Sequence, residues 1–306
     1  MLIYFPVVKY FLIMKLRSVI YLLCFAMFVA MGHILQKIVL NLGVDKLVFA
    51  FLRITAGFII ISTIVFYRKY NPVNIVKKNY RHFLILGIGF SGLGIILKLW
   101  GLQNTTAVNA SFIMSLSSAA AVLFAFLFLK EEPSRKFYIF MVLMIFGVYL
   151  VTTAGKSVIP RKGDMIIFGL AFLIGSMRVY GKKVLKTLTV IETAFGRSMF
   201  GSIFLLILIF IFSPEGFATI KDWKILLLVL SNGITFSGSI LFFYAALQNE
   251  GASNSSMFAL LVPLFTLIMG YFALGEKLNL VQLSGGGIIL ICSLFISRLK
   301  LRQANF

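Results

Sequence analysis

The sequence predicts an all-α integral membrane protein with ten transmembrane helices in two inverted five-helix repeats. Three observations carry this expectation. The 306 residues are 60% hydrophobic and only 12% charged, with a mean hydropathy of +1.03. Apolar stretches of bilayer-spanning length recur ten times along the chain. A polar segment beside one of them, LQNTTAVNAS at 102–111, returns 145 positions later as LQNEGASNSS at 247–256.

A soluble domain would be about 45–50% apolar. The ten stretches run about 18–40, 46–67, 83–103, 107–129, 136–153, 165–181, 189–212, 224–247, 252–274 and 279–297. Lipid offers no partner for loose backbone groups, so each is read as a helix. Alternating strands are absent, which argues against a β-barrel. Connections are short and leave no room for a soluble domain. Residues 1–17 are read as a cytoplasmic extension; Met14, followed by Lys15 and Arg17, offers an alternative start. The first repeat takes 18–155, the second 156–299, and 300–306 forms a cytoplasmic tail.

The net charge of +20 is spread along the chain, not gathered into a patch. That speaks against a nucleic-acid partner and for basic residues on cytoplasmic loops. With the N-terminus inside, 17 Lys and Arg fall on inner segments and 8 on outer ones; the other 4 of the 29 lie within spans. Both termini are therefore placed in the cytoplasm. Cys24 and Cys292 sit in apolar runs without a CxxC or Cys/His cluster, so no disulfide framework or metal site is expected.

Six of ten positions match between the two LQN segments, and nine of thirty match over 102–131 against 247–276. Upstream, RITAG from Arg53 parallels RSMFG from Arg197. Five spans per repeat is odd, so the second copy enters the membrane from the opposite side. Inverted repeats of this kind are typical of secondary transporters, with the substrate held near the midplane between halves. The two LQN segments are expected to cap equivalent turns on opposite faces.

TTAVNASFIMSLSSAAAVLFAFLFLKEE, and its counterpart GASNSSMFALLVPLFTLIMGYFALGE, each precede a helix carrying Gly147 or Gly285 to Gly287. With the ten spans, this pattern resembles the EamA-type transporters of the drug/metabolite transporter superfamily. The resemblance covers the chain after about residue 18. It implies carriage of small metabolites, often amino acids and often outward, without ATP. One departure stands out: Ser117-Ser118 of the first copy faces Val262-Pro263 of the second, where family members often carry Pro in both.

A polar side chain inside lipid needs a reason. Gly87, Ser91, Gly94 and Lys98 share one face at steps of four, three and four. Lys98 is the leading substrate contact, with snorkelling as its competing role. Trp100 nearby is a pocket wall or a belt anchor. Ser111, Ser115 and Ser118 form a stripe led by Asn109, for substrate contact or close packing. Asn232, Thr235 and Phe236 in the eighth span, with Tyr244 and the later Asn254, are further candidates. Gln36 and Arg178 share faces with small residues. Glu192 and His33 are the candidates for proton coupling. Arg53 and Arg197, at matching places, are read as structural cations at the helix periphery, held to lipid phosphate.

Catalytic chemistry is missing. Asp45, Asp164 and Asp222 are assigned to loops, so no intramembrane Asp pair forms. Neither a phosphate-binding Gly-rich loop nor a filter repeat is present. The expected function is secondary transport of a small metabolite, an amino acid or a related compound, by efflux or exchange across the plasma (inner) membrane. The alternatives are a nucleotide or nucleotide-derivative exchanger, or a non-transporting sensor or scaffold. No cofactor is expected. The expected partners are the substrate and the bilayer, with the protein a monomer or homodimer.

Overall fold

A computed structural model describes residues 16–155, 159–258, 261–298 and 302–303. Side chains at 16–19, 129, 131–132, 243–258, 297–298 and 302–303 are outside that description. The N-terminal start and the C-terminal tail thus fall largely outside the described residues.

The described backbone is helical apart from a two-residue antiparallel pairing of Glu131–Glu132 with Arg302–Gln303. In chain order the helices are α1 (Leu16–Asn41), α2 (Lys46–Tyr67), α3 (Pro72–Gln103), α4 (Ala107–Met114 and Leu116–Leu129) and α5 (Arg135–Thr153). Then follow α6 (Lys162–Val184), α7 (Val190–Phe212), α8 (Trp223–Phe258), α9 (Leu261–Leu274) and α10 (Leu280–Arg298). Among the described residues, eight helices, α1 to α8, are long and apolar enough to cross a membrane, and α9 and α10 are shorter apolar helices. Their outer faces carry large exposed apolar side chains, including Phe66, Phe128, Val142, Phe210 and Phe272. Such a surface suits lipid contact and would be costly in water. The chain is a multi-pass membrane protein.

Polar residues start the helices. The Asp45 side chain accepts from the amides of Leu47 and Val48 to cap α2. Asn71 caps α3 ahead of Pro72, whose missing N–H suits a first turn. Thr106 caps α4 through the Asn109 amide, as the expected first hairpin requires. The second hairpin differs: α8 stays helical through LQNEGASNSS to Phe258. Within that stretch Gly251 is the one strong helix breaker, at about 1 kcal/mol, and no proline stops the helix.

Packing between the halves is reciprocal. Helix α1 packs on α8 as α6 packs on α3; α8 lies on α2 as α3 lies on α7; α9 meets α1 as α4 meets α6. Helices α2 and α7 pair directly, as do α5 and α10. Adding five to a helix number in the first half reproduces each contact. Glycines permit the closest approaches: a Cβ on Gly285 would stand 2.7 Å from the Gly147 carbonyl oxygen, and a Cβ on Gly147 would stand 2.8 Å from that of Gly285.

One end of the bundle, where α3 turns into α4, is densely tied. Lys37 Nζ donates to the carbonyls of Leu102 and Thr105, both at 2.6 Å. Thr105 Oγ1 donates to Asp164 Oδ1. The Asn279 amide donates to the Ala154 carbonyl at 2.7 Å. Asp164 belongs to the first turn of α6 and is buried, not in a loop as its sequence position suggested. A hydroxyl donor meets one oxygen of this carboxylate beside a helix N-terminus, while Asp164 Oδ2 has no hydrogen-bond partner among the described residues.

Candidate functional site

Three of the four basic residues inside spans gather between the two halves. Arg53 of α2 and Arg197 of α7 are both buried. The Arg53 guanidinium carbon lies 4.5 Å from the centroid of the Phe236 ring on α8. That of Arg197 lies 5.6 Å from the same ring and 4.1 Å from Phe90 on α3. Arg197 Nε donates to Ser91 Oγ at 2.9 Å. The two guanidinium carbons are thus no more than about 10 Å apart, the sum of their distances to Phe236. At an effective dielectric of ~20, that separation means a repulsion of about 1.5 kcal/mol or more. Arg53 is in turn within electrostatic reach of Lys98, and both act on His33.

The repeat explains this layout. Arg53 and Gly57 occupy one face of α2, four residues apart, and a Cβ on Gly57 would stand 2.6 Å from the Phe236 ring. Arg197 and Gly201 do the same on α7, where a Cβ on Gly201 would stand 2.6 Å from Ser91 Cβ. The 145-residue offset carries Ser91 onto Phe236. Each half therefore presents an Arg–Gly pair to the equivalent position of the other.

A π-helical segment, Gly87–Leu93, lies inside α3. Its extra residue per turn breaks the phase on which a continuous small face from Gly87 to Lys98 depended. Gly87 and Ser91 instead pack against α7, with a Cβ on Gly87 standing 2.9 Å from the Gly201 amide. The expected cavity lining there is filled by a helix. Lys98 lies beyond the π segment, half-buried, within reach of α1 and α2.

Polar side chains from α1 and α8 complete the region. Asn232 Nδ2 donates to the Gly32 carbonyl at 3.0 Å, and Thr235 Oγ1 donates to the Asn232 carbonyl at 2.8 Å. Several buried polar atoms have no hydrogen-bond partner among the described residues: His33 Nδ1, both ends of the Gln36 amide, Arg53 Nε and Asn232 Oδ1. The same holds for Ser134 Oγ, Asp164 Oδ2 and Ser198 Oγ, whereas buried polar atoms are nearly always satisfied by protein or water. His33, Gln36, Ser91, Lys98, Asn232, Thr235 and Phe236 of the sequence candidates all belong to these packed helices.

Other candidates lie elsewhere. Trp100 is 48% exposed, on the outer face of α3 with Leu93. Ser111 and Ser115 hydroxyls donate to carbonyls of their own helix, and Ser118 bonds its own helix and Ser293 of α10. Asn109 donates to the Val151 carbonyl and accepts from Gln282 Nε2 at 3.2 Å, tying α4 to α5 and α10. Asn109 and Ser118 tie α4 to its neighbours, while Ser111 and Ser115 bond within their own helix. Glu192 accepts from the Thr189 amide and hydroxyl, both at 2.8 Å, in a capping box that starts α7. Arg178 is half-buried in the last two turns of α6. The side chains of Tyr244 and Asn254 lie outside the described residues.

Arg53 and Arg197, expected at the periphery against lipid phosphate, are instead central. Their repetition at matching positions was the available signal. Position along a helix does not reveal which way a side chain faces once neighbours pack, and the shared Phe236 ring is contributed by a distant helix.

Comparison with known proteins agrees with this architecture. A solved crystal structure superposes with a TM-score of 0.60 at 13% identity, over 89% of this chain and 96% of that one, which shows the fold alone. The uncharacterized transporter YyaM of Bacillus subtilis is 26% identical over 71% of this chain and 72% of its own length. An uncharacterized transporter of Haemophilus influenzae is 27% identical over 79% and 84%. The riboflavin transporter ImpX of Fusobacterium nucleatum is 25% identical over 67% and 70%. The family model described as the EamA-like transporter family matches twice, at residues 16–153 and 161–298. Two matches that together cover nearly the whole chain, on halves that pack reciprocally, place this protein in the EamA-like transporter family.

Proposed function

We propose that this protein is a secondary transporter that moves a small metabolite bearing an anionic group across the plasma membrane by alternating access. The ten helices act as two inverted five-helix repeats, 18–155 and 156–299, with both termini in the cytoplasm. Amino acids and related carboxylates are the first cargo class to test, moved outward or by exchange. The observation that carries this reading is the cluster of the buried Arg53, Arg197 and His33 with the half-buried Lys98 at the interface of the two halves. A solute held there touches both repeats, so rocking one against the other carries the site from one side to the other. The bonds of Lys37, Thr105 and Glu276 hold one end shut in this arrangement. That ImpX carries the name of a riboflavin transporter supports an organic cargo for the family.

The test is reconstitution in liposomes and flux of labelled amino acids, other carboxylates and nucleotide derivatives, each with and without a pH gradient. Saturable flux of one class establishes a carrier, and its response to the gradient settles coupling. Folded protein with no flux for any compound moves the reading to a sensor or scaffold.

A further inference from the structure

We propose that the first turns of α3, residues 72–82, form an interfacial element that binds the phosphate headgroup of an anionic phospholipid through Lys77, Lys78 and Arg81. Such binding follows from the membrane setting of the chain, independently of any cargo.

Helix α3 runs 32 residues, a contour of about 48 Å, whereas the hydrocarbon core is about 30 Å thick. Its apolar part, 83–103, crosses that core alone. The segment before it, 72–82, adds about 16 Å. The headgroup layer of one leaflet, roughly 5–7 Å deep, cannot hold that length upright. The backbone bends in this segment. Asn79 has φ −132° and ψ 15°, outside the helical region, and its side-chain amide donates to the Ile75 carbonyl at 3.2 Å. The turns ahead of Asn79 are therefore kinked out of the line of the spanning part.

One side of the segment is fixed to the protein. Ile75 and Phe83 are buried, and Phe83 packs so closely over Gly196 of α7 that no Cβ fits there. His82 Nδ1 is hydrogen-bonded to the Tyr180 hydroxyl of α6 at 2.8 Å. The opposite side mixes exposed cations, Lys77, Lys78 and Arg81, with exposed Val73, Tyr80 and Leu84. In water Val73, 56% exposed in the first turn, would stay uncovered. Among acyl chains the cations would be stranded. The boundary between headgroups and chains suits both sets, and Tyr80 is of the type that sits at that depth.

The sign of the ligand follows from the sequence, which holds no Asp or Glu between Asp45 and Glu131. The charge that the segment itself brings to the membrane surface is purely positive. Arg81 Nε donates to the Tyr80 hydroxyl at 3.2 Å, an anchor that leaves the Nη fork of its guanidinium for two oxygens of one phosphate. Lys77 and Lys78 add mobile point charges. A zwitterionic headgroup brings its own cation to this surface; an anionic one does not.

Native mass spectrometry of the purified full chain, titrated with phosphatidylglycerol or phosphatidylcholine of the same acyl chains, tests this. Each basic residue near an anionic surface strengthens attachment roughly five-fold, so the unaltered protein should retain phosphatidylglycerol about ten-fold or more tighter than phosphatidylcholine. Lys77→Gln, Lys78→Gln and Arg81→Gln together should remove most of that preference. Lys77→Arg with Lys78→Arg should keep it. Lys221→Gln with Lys224→Gln, exposed beside Asp222 at the start of α8, should not change it. All these positions are exposed, so the variants keep the core intact. Equal retention of the two lipids by the unaltered protein overturns the proposal, as does a preference that survives the triple Gln variant. Displacement of the lipid by an equal concentration of glycerol 3-phosphate would make this a site for free phosphate and would also overturn it.

Discussion

The carboxylate of Glu276 and the backbone amide of Ala107 form a 2.8 Å hydrogen bond across 169 residues of sequence. The other carboxylate oxygen accepts from Val108 at 2.9 Å. A residue just past the end of α9 therefore supplies two acceptors to the first turn of α4, where helix amides lack partners within the helix. The negative charge also meets the positive end of the α4 dipole. Within each repeat the family pattern places Glu131 and Glu276 at equivalent positions, so the clamp belongs to the second half and grips the first.

Glu276→Ala should loosen the end of the bundle where α3 meets α4. Two buried amides lose charged acceptors, at about 1–3 kcal/mol in total. A single cysteine placed at Thr105 should label faster with a membrane-impermeant maleimide in this variant. Glu276→Gln, which keeps one acceptor, should fall between. Equal labelling in all three would show that the clamp does not hold this end.

Gly285→Leu should abolish assembly of the α5–α10 pair. The added side chain has no room, since even a Cβ there meets the Gly147 carbonyl at 2.7 Å. Overpacking a tight core costs about 1–3 kcal/mol, and backbone contact leaves no flexible neighbour to yield. Fluorescence-detected size exclusion should show aggregate in place of a sharp peak. A monodisperse peak at unchanged yield would mean that these helices separate readily.

Ser111→Ala and Ser115→Ala should leave the KM of any transported solute within about two-fold. Each hydroxyl returns to a carbonyl of its own helix, a bond that contributes little when removed from both partners' alternatives. Ser118→Ala also loses the bond to Ser293. Its melting temperature should drop by a few degrees, as about 1 kcal/mol implies. A large KM change in either of the first two would return the serine stripe to the binding surface.

Glu192→Gln should leave both thermal stability and the pH dependence of flux nearly unchanged, because Gln at this position still accepts from the Thr189 amide in a capping box. The capping box of Thr189 and Glu192 accounts for this carboxylate. If flux lost its response to a pH gradient in this variant, Glu192 would carry protons after all.

Phe236→Leu should raise the KM of the cargo more than it lowers stability. Leucine keeps most of the apolar volume but removes the aromatic face shared by both arginines. Cation–π contact at desolvated sites is worth about 2 kcal/mol, or roughly 30-fold. An unchanged KM in a stable variant would reduce Phe236 to packing.

The sequence by itself determined the membrane setting, the existence of a repeat and the helix positions through α7, except for the first turns of α3, 72–82, which it left in a loop. Apolar runs in lipid leave the backbone no option but helix, and caps such as Thr106 and Asn71 are local. It also isolated the basic residues within spans, including Lys98, Arg53 and Arg197. Only the tertiary structure decided what they do. Arg53 faces inward because Gly57, one turn away, admits the Phe236 ring of α8. Ser91 meets Arg197 because a π segment turns that part of α3 toward α7. The serine stripe and Asn109, polar by composition, are satisfied by neighbouring backbone and by α10. Which polar atoms converge depends on helix rotation and on contacts between residues 106 to 200 positions apart. Those are set by packing between the halves, a quantity no local pattern in the chain encodes.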